Sequence, residues 1–422
     1  MTRRLLLGLL ATTFAGVASA ADWPQWRGPN RDGKSADTNL LTSWPAGGPK
    51  LLWKNDAAGT GYGSPAIVGD RMYLIGGSTT KKDSKDSLIC LSFKDGGPIW
   101  SKEFGETPGS YLDQWGGGPR ATPTVDGPHI YALGATGDLA CFTTDGKEVW
   151  KINLVKEYGG AIPKWGYSES VLIDGDTLLC TPGKKTAMVA LNKKTGKKIW
   201  ATEGLGDDTG YASVMIANVG GTKLYVQQSM KQAYGVVAET GKLAWKAGEI
   251  GRATAVIPTP VVLGESVFYT AGYGAGCERI DVTKSGNEFN AKVAFKSKVL
   301  ANHHGGVIEH DGLIFGHSDA GGWTCFDPKA GKEKWQDKGV GKGSISFADG
   351  HFYCYSEGKG EVALVKPSAD EYKEVGKFSI PELSGTRPRQ GKVWPHPVIA
   401  NGKLVLRDFE KLYVYNISNA AE

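Results

Sequence analysis

Thr195-Gly196-Lys197-Lys198-Ile199-Trp200 is one of five copies of a phrase in which a strand-like run reaches a Gly turn and, a few residues later, a Trp. The others are Asp95-Gly96-Gly97-Pro98-Ile99-Trp100, Asp145-Gly146-Lys147-Glu148-Val149-Trp150, Thr240-Gly241-Lys242-Leu243-Ala244-Trp245 and Ala330-Gly331-Lys332-Glu333-Lys334-Trp335. Successive Trp residues stand 50, 50, 45 and 90 positions apart, the last being two periods of 45. A period of about 40 to 50 residues in strand-rich sequence marks the blades of a β-propeller, each a four-stranded sheet. A large ring recurring on the outer strand of each blade is suited to filling the wedge between neighbours, its indole N–H donating to a carbonyl.

Within each period a short strand turns at Gly with Asp or Asn and returns as a second apolar strand, the pattern of a hairpin. Eight such turns run from Gly69-Asp70, through Asp174-Gly175 and Asp311-Gly312, to Asn401-Gly402, so eight blades are expected. The last of them runs out of chain after Leu412–Ile417, one strand short. Pro49-Lys50-Leu51-Leu52-Trp53 is a fourth-strand phrase with no blade before it. The fold predicted is therefore all-β: an eight-bladed propeller of four-stranded blades, its ring closed by an N-terminal strand, which also removes the exposed sheet edges. Blades five and seven lack the Trp and carry Phe295 and Phe378 near the expected places.

Residues 1–20 read as a secretory signal: Arg3 and Arg4, an apolar run from Leu5 to Val17, then Ala18-Ser19-Ala20 as a small-residue cleavage site. Residues 21–48 then form an N-terminal extension, and 49–422 the propeller. Cleavage near Ala20/Ala21 would leave a periplasmic or secreted chain, and no later stretch approaches the roughly 20 apolar residues of a membrane span. The formal net charge is +5, with Lys and acidic residues interspersed. That is a solvated surface without the basic stripe that nucleic acid requires. A monomer is expected. None of the six Cys forms a CxxC or adjacent pair, and Cys90 and Cys325, ten residues before their Trp, occupy the place of Ala190 and read as small core fillers.

In a propeller the loops leading into each first strand converge, with the second-to-third-strand loops, on one face around the channel. Those loops carry Tyr62, Arg120, Trp165, Tyr167, Tyr211, Lys342, Trp394, His396 and, one turn on, Arg407, an aromatic and cationic set suited to holding a ligand. Carrying the hairpin pairing outward from Asp311-Gly312 sets Gly306 opposite His317 and His304 opposite Asp319. His304, His317 and Asp319 would then be neighbours, and two readings stand: a metal or general-base constellation, or a hydrogen-bonded pair in the channel wall. Across Asn401-Gly402 the same pairing sets His396 opposite Arg407, either a clamp for a carboxylate or a residue paired internally to Asp408 or Glu410.

Ala190-Leu191-Asn192-Lys193-Lys194-Thr195-Gly196 through Trp200 resembles the repeat of the pyrroloquinoline quinone (PQQ) dehydrogenases and their non-enzymatic relatives. The opening Trp23-Pro24-Gln25-Trp26-Arg27-Gly28-Pro29-Asn30-Arg31-Asp32-Gly33 and the ending Trp394-Pro395-His396-Pro397-Val398 are similar to exported bacterial PQQ-like β-propeller repeat proteins. The resemblance extends to the outer-membrane assembly scaffold of the same fold, a lipoprotein, whereas this sequence carries no lipobox. The enzymes hold PQQ on Ca²⁺ beneath a disulfide of adjacent cysteines, and here no two Cys are adjacent and there is no CxxCH haem motif. No cofactor is assigned on the residues themselves. The reading adopted is an exported envelope propeller that binds a ligand, a protein segment or a carbohydrate, through its channel mouth. The alternatives are a PQQ- and Ca²⁺-dependent alcohol or sugar oxidoreductase, with Glu169 or Asp408 as base, and metal-assisted hydrolase or lyase chemistry at His304, His317 and Asp319.

Overall fold

The computed structural model describes residues 21–78, 84–106, 114–250 and 254–419, and the expected signal at 1–20 lies outside the described residues. Eight antiparallel four-stranded sheets follow one another. Blade one consists of Ala66–Val68, Arg71–Gly77, Lys85–Ser92 and Pro98–Glu106. Blade eight takes Val398–Ala400, Lys403–Asp408 and Lys411–Asn416 from the end of the chain and its outermost strand, Lys50–Asn55, from the beginning. The register runs Lys50↔Asn416 to Asn55↔Leu412. Both central residues of the first hairpin turns at Gly220-Gly221, Asp311-Gly312, Asp349-Gly350 and Asn401-Gly402 have positive φ. This turn type matches the strand twist, and Gly, Asn and Asp tolerate it best. Among the described residues no helix is long and apolar enough to cross a membrane.

The repeated Gly and Trp are two halves of one contact between consecutive blades. The Trp53 ring lies against Gly96 of blade one, Trp100 against Gly146 of blade two, Trp150 against Gly196 of blade three and Trp200 against Gly241 of blade four. A Cβ at Gly241 would stand 2.5 Å from the Trp200 ring, so only Gly lets the indole settle on the backbone. The indole N–H groups of Trp100, Trp150 and Trp200 also donate across the same boundary, Trp100 to Thr144 O at 3.1 Å, Trp150 to Lys193 O at 3.0 Å and Trp200 to Ala238 O at 3.1 Å, whereas that of Trp245 is buried without a partner among the described residues. The residue paired with each of the five phrase Trp residues is small: Cys90, Cys141, Ala190, Gly235 and Cys325, against Val414 for Trp53. All six Cys are buried and free. Phe295 against Gly331 and Phe378 against Gly48 fill the same wedge without the N–H. The apolar core is correspondingly split into wedges shared by neighbouring sheets, as where Leu88 of blade one meets Ile130 and Phe142 of blade two.

Residues 23–35 fill the channel, and 37–48 run out along the hairpin-turn side to the outer strand of blade seven, Lys373–Ser379. Trp23 exchanges backbone hydrogen bonds with Ile67, Pro24 O accepts from Val125 N, and Ser35 N and Gly33 O bond Phe347. Arg31 donates to Ser170 O and Val171 O, Arg27 to Val307 O, and the Trp26 indole to Thr259 Oγ1. These partners lie on or beside the innermost strands of blades one, two, three, five, six and seven. Compactness comes from left-handed backbone at Arg27, Gly28, Arg31 and Gly33. The segment is thus a plug bonded to most of the ring.

Two substitutions separate the halves of the interblade contact. Gly241→Ala meets both the indole and a φ of 71° and should lower stability by about 2 kcal/mol. Trp200→Phe keeps most of the packing, loses one hydrogen bond, and should cost about 1 kcal/mol. Urea unfolding monitored by circular dichroism checks both the order and the sizes.

Candidate functional site

The plug stops short of one face of the ring, and above it the converging loops form a bowl enclosing about 940 Å³, counting the part open to solvent. Its floor is Trp26, whose ring lies 4.6 Å from His396. Three aromatic groups build the wall. Tyr62 packs on Trp394 with centroids 4.6 Å apart, Trp165 on Tyr211 at 6.0 Å, and Tyr273 edge-on to His303 at 4.5 Å. Trp115 completes the rim and, like Tyr273, is exposed. Tyr62 OH donates to Trp115 O at 2.9 Å, and burial pushes this phenol up to about 12. Tyr211 is likewise raised by burial to about 12.

Serines on the inner ends of these loops tie them together around the ring. His396 N donates to Ser64 Oγ, Thr122 N to Ser170 Oγ and Ser170 N to Ser213 Oγ, while Ser344 Oγ donates to Pro395 O. Short hydroxyl side chains bridge from loop to loop here, so the mouth is held by hydrogen bonds that reach across blades. Such cross-links pre-organise a site that would otherwise rest on loop backbone alone.

The charged groups of the mouth are unevenly committed. Lys342 Nζ sits 2.7 Å from Asp319 Oδ1 and 2.6 Å from His303 Nδ1. Burial, then the His304 and Lys342 charges, bring His303 down to about 3. His304 Nε2 lies 2.7 Å from Glu357 Oε2, which also accepts from the Trp394 indole at 3.3 Å. Burial alone would raise Glu357, but its bond to His304 and the charges of His304 and Lys342 outweigh it and hold the carboxyl at about 2. His396 is buried, and that burial brings it to about 3, with Nε2 bonded to His304 O. Arg120 is different. Its guanidinium lies 4.6 Å from the Tyr62 centroid and 5.3 Å from that of Trp394, donates from Nη2 to Gly116 O, and has no carboxylate partner among the described residues.

Of the ligand residues expected from sequence, Tyr62, Arg120, Trp165, Tyr211, Trp394 and His396 line the bowl together with His304. Four expectations are corrected. Arg407 is buried in the wall and donates to five backbone carbonyls, those of Ala58, Gly59, Gly63, Ile75 and Phe409, so it fastens blade eight to blade one instead of clamping a ligand. Asp408, a candidate base, pairs with Arg387 and accepts from Ser384 N, anchoring the loop before blade eight. Glu169, the other candidate, is buried with Oε2 bonded to Thr181 N and Oγ1. Tyr167 turns inward and donates to Pro182 O. Lys342 stands behind the bowl, bonded to the lining His303.

The triad of His304, His317 and Asp319 is not assembled either. The ladder on which the expectation rests ends at Val307↔Gly316, and Gly306, with φ 71°, turns the chain out of the sheet. Asn302 then fixes the bend by donating to Gly306 O and His317 O. His304 goes to Glu357, Asp319 to Lys342, and His317 faces Trp323 edge-on at 5.6 Å. Among the described residues no group of three or more His, Cys, Asp or Glu is placed to hold a metal ion. The sequence reading passed over Trp26, Tyr273, His303 and Glu357 as site residues. Tyr273 could have been found, since it lies in a second-to-third-strand loop of the face already singled out. Trp26 could not, because nothing local shows that its segment enters the channel.

A family profile described as outer membrane protein assembly factor BamB matches residues 84–337. No curated protein matches the sequence significantly. Among solved structures, BamB from Moraxella catarrhalis aligns with a TM-score of 0.57 at 13% identity, over 84% of this chain and 96% of that one. A quinohemoprotein alcohol dehydrogenase from Comamonas testosteroni aligns at 0.64 and 11% identity, over 95% and 81% respectively. Another, from Pseudomonas putida HK5, aligns at 0.58 and 12%, also over 95% and 81%. At these identities the likeness is one of fold.

Two variants test the corrected roles. Arg407→Ala strips five carbonyls of their donor and should cost at least about 3 kcal/mol, seen as a clear drop in melting temperature. Burial raises the Glu169 carboxyl from 4.5 to about 7. Between those pH values the folded state keeps a proton that the unfolded state has lost, so stability falls as pH rises. Glu169→Gln should therefore be nearly neutral at pH 4.5 and stabilising by up to about 3 kcal/mol at pH 8, with chemical denaturation across that range as the readout.

Proposed function

Since the chain belongs to the PQQ-like repeat family described as outer membrane protein assembly factor BamB, we propose that it is an exported cell-envelope binding propeller that takes a ligand into its channel mouth. One observation carries this reading. The mouth is a concave, aromatic-walled bowl with a closed floor, and the acidic groups that catalysis would call on are each bonded elsewhere. Concavity and ring-faced walls suit a small molecule or the end of a chain better than the flat surface of a folded partner. Export follows from the reading of residues 1–20 and agrees with the outer-membrane role in the family's description. Membership does not bring chemistry with it, because one fold serves binders and enzymes alike.

The oxidoreductase alternative asks the bowl to hold PQQ and Ca²⁺, and its donor set does not fit them. Calcium takes six to eight oxygen ligands, mostly carboxylate and carbonyl. The nearest carboxylates, Asp319 and Glu357, are committed to Lys342 and His304. Among the described residues a tricarboxylate quinone would meet a single guanidinium, that of Arg120, in the wall.

The test is a titration of the protein with soluble fragments of envelope glycan, read through the emission of the bowl tryptophans. Saturable change is expected, and the double variant Trp165→Ala/Tyr211→Ala should abolish it while its circular dichroism spectrum remains that of the folded protein. PQQ with excess Ca²⁺, titrated in parallel by calorimetry, should give no saturable heat. Fragment binding that survives the double variant would place the ligand outside the bowl.

A further inference from the structure

Building on the reading of the bowl as the binding site, we propose that its ligand is the end of an acidic glycan, a chain of pyranose rings bearing carboxylates. The carboxylate is received by Arg120, the rings stack on the aromatic wall, and a ring or hydroxyl oxygen is held by His303.

Arg120 supplies the charge argument. A guanidinium spread against two aromatic rings has lost much of its water, and leaving it without a counter-charge is costly. Nη2 is occupied by Gly116 O, while Nε is buried with no hydrogen-bond partner. Of the other cations of this face, Lys342 is already neutralised by Asp319, while Lys164 stands exposed at the rim with Nζ 4.8 Å from the Trp165 centroid. Among the described residues the bowl therefore has unmatched positive charge, Arg120 in the wall and Lys164 at the rim, and no unmatched negative charge, which selects an anionic group over a cation. A quaternary ammonium is disfavoured although the walls are aromatic, because Arg120 itself occupies the faces of Tyr62 and Trp394.

His303 supplies the polar argument. A lysine ammonium can only donate, so the 2.6 Å contact makes His303 Nδ1 an acceptor and puts its ring proton on Nε2. Asp319, Lys342 and His303 thus form a chain that fixes one tautomer in the bowl wall. Ser168 and Ser213 add hydroxyls to the same wall. Flat rings separated by hydrogen-bonding groups match a pyranose, which offers C–H faces for stacking and hydroxyls along its edges. Rings in contact run from Arg120 through Trp394 and His304 to His303, so the carboxylate and the oxygen held by His303 fall at different places along a short chain.

The experiment is calorimetric titration of the mature protein with a panel of oligouronates, namely galacturonate, glucuronate and mannuronate trimers, each against its carboxyl-reduced, neutral counterpart. At least one acidic trimer should bind saturably, its reduced form tenfold or more weaker, and affinity should fall as salt is raised. Arg120→Met should lose at least tenfold for the acid and little for the neutral sugar, with Arg120→Lys intermediate. His303→Ala should weaken both by a similar factor. Equal binding of acidic and reduced trimers overturns the acidic assignment and leaves the bowl as the binding site. Tighter binding of a sugar phosphate overturns the carboxylate. Failure of every uronate, while envelope fragments still bind in a Trp165- and Tyr211-dependent way, overturns the ligand class alone. Because the acid-against-neutral comparison uses the unaltered protein, it decides the matter even if an Arg120 variant does not fold.

Discussion

The backbone hydrogen bonds between Lys50–Asn55 and Lys411–Asn416 join the two ends of the propeller, and most other features take their place from that junction. Once residue 50 must sit on the outer edge of blade eight, the chain before it has to arrive there from somewhere. Here it comes by way of the channel, pinned by Asp37, which accepts from Ala21 N and Gly402 N, and by Trp44, which packs on Tyr353 and Phe378 of blade seven. Arg407 reinforces the same seam from within, collecting carbonyls of residues more than 300 positions away. Closure of this kind couples blade one to blade eight only after nearly the whole chain has been made, a long-range pairing that costs loop entropy before it contributes stability.

What could be read from the sequence was what repeats. The Gly of each phrase meets the ring that stands one period before it, so the contact is visible as spacing, and Phe295 and Phe378 could be recognised as stand-ins because they fall on the same beat. The turns were equally legible, since left-handed backbone at Asp311-Gly312 and Asn401-Gly402 restricts residue choice locally. Single, long-range solutions were not legible. Arg407 looks like any cation near acids until Gly63 and Ile75 are brought against it. Extending a ladder beyond its last pair also failed, because a glycine and an asparagine at 306 and 302 end the sheet by hydrogen bonds that no alternation pattern encodes. About two thirds of the expected ligand positions reached the bowl because loop order around a ring is a consequence of the repeat.

The electrostatics of the mouth follow one logic. Every carboxylate near it has been given a partner: Asp319 to Lys342, Glu357 to His304, and Asp408 to Arg387 farther out. Such pairing holds Asp319 and Glu357 below the ordinary carboxylate range, whereas at Asp408 burial outweighs the Arg387 charge and raises the carboxyl. Glu169, which burial raises to about 7, is sealed behind Thr181. Among the described residues, those that remain free to meet a ligand are rings, hydroxyls, a neutral imidazole, the Arg120 guanidinium and, at the rim, Lys164.

The plug has a topological consequence. A propeller with an open bore can be strung on a polymer, sliding along it and meeting every repeat unit in turn. Trp26 across the floor forbids that: a strand can dip into the bowl but never pass through. With the glycan proposed above as its ligand, the bowl would register termini and side branches, so its loading would scale with the number of ends and not with mass, and trimming a polymer into pieces would multiply its sites without adding a single sugar.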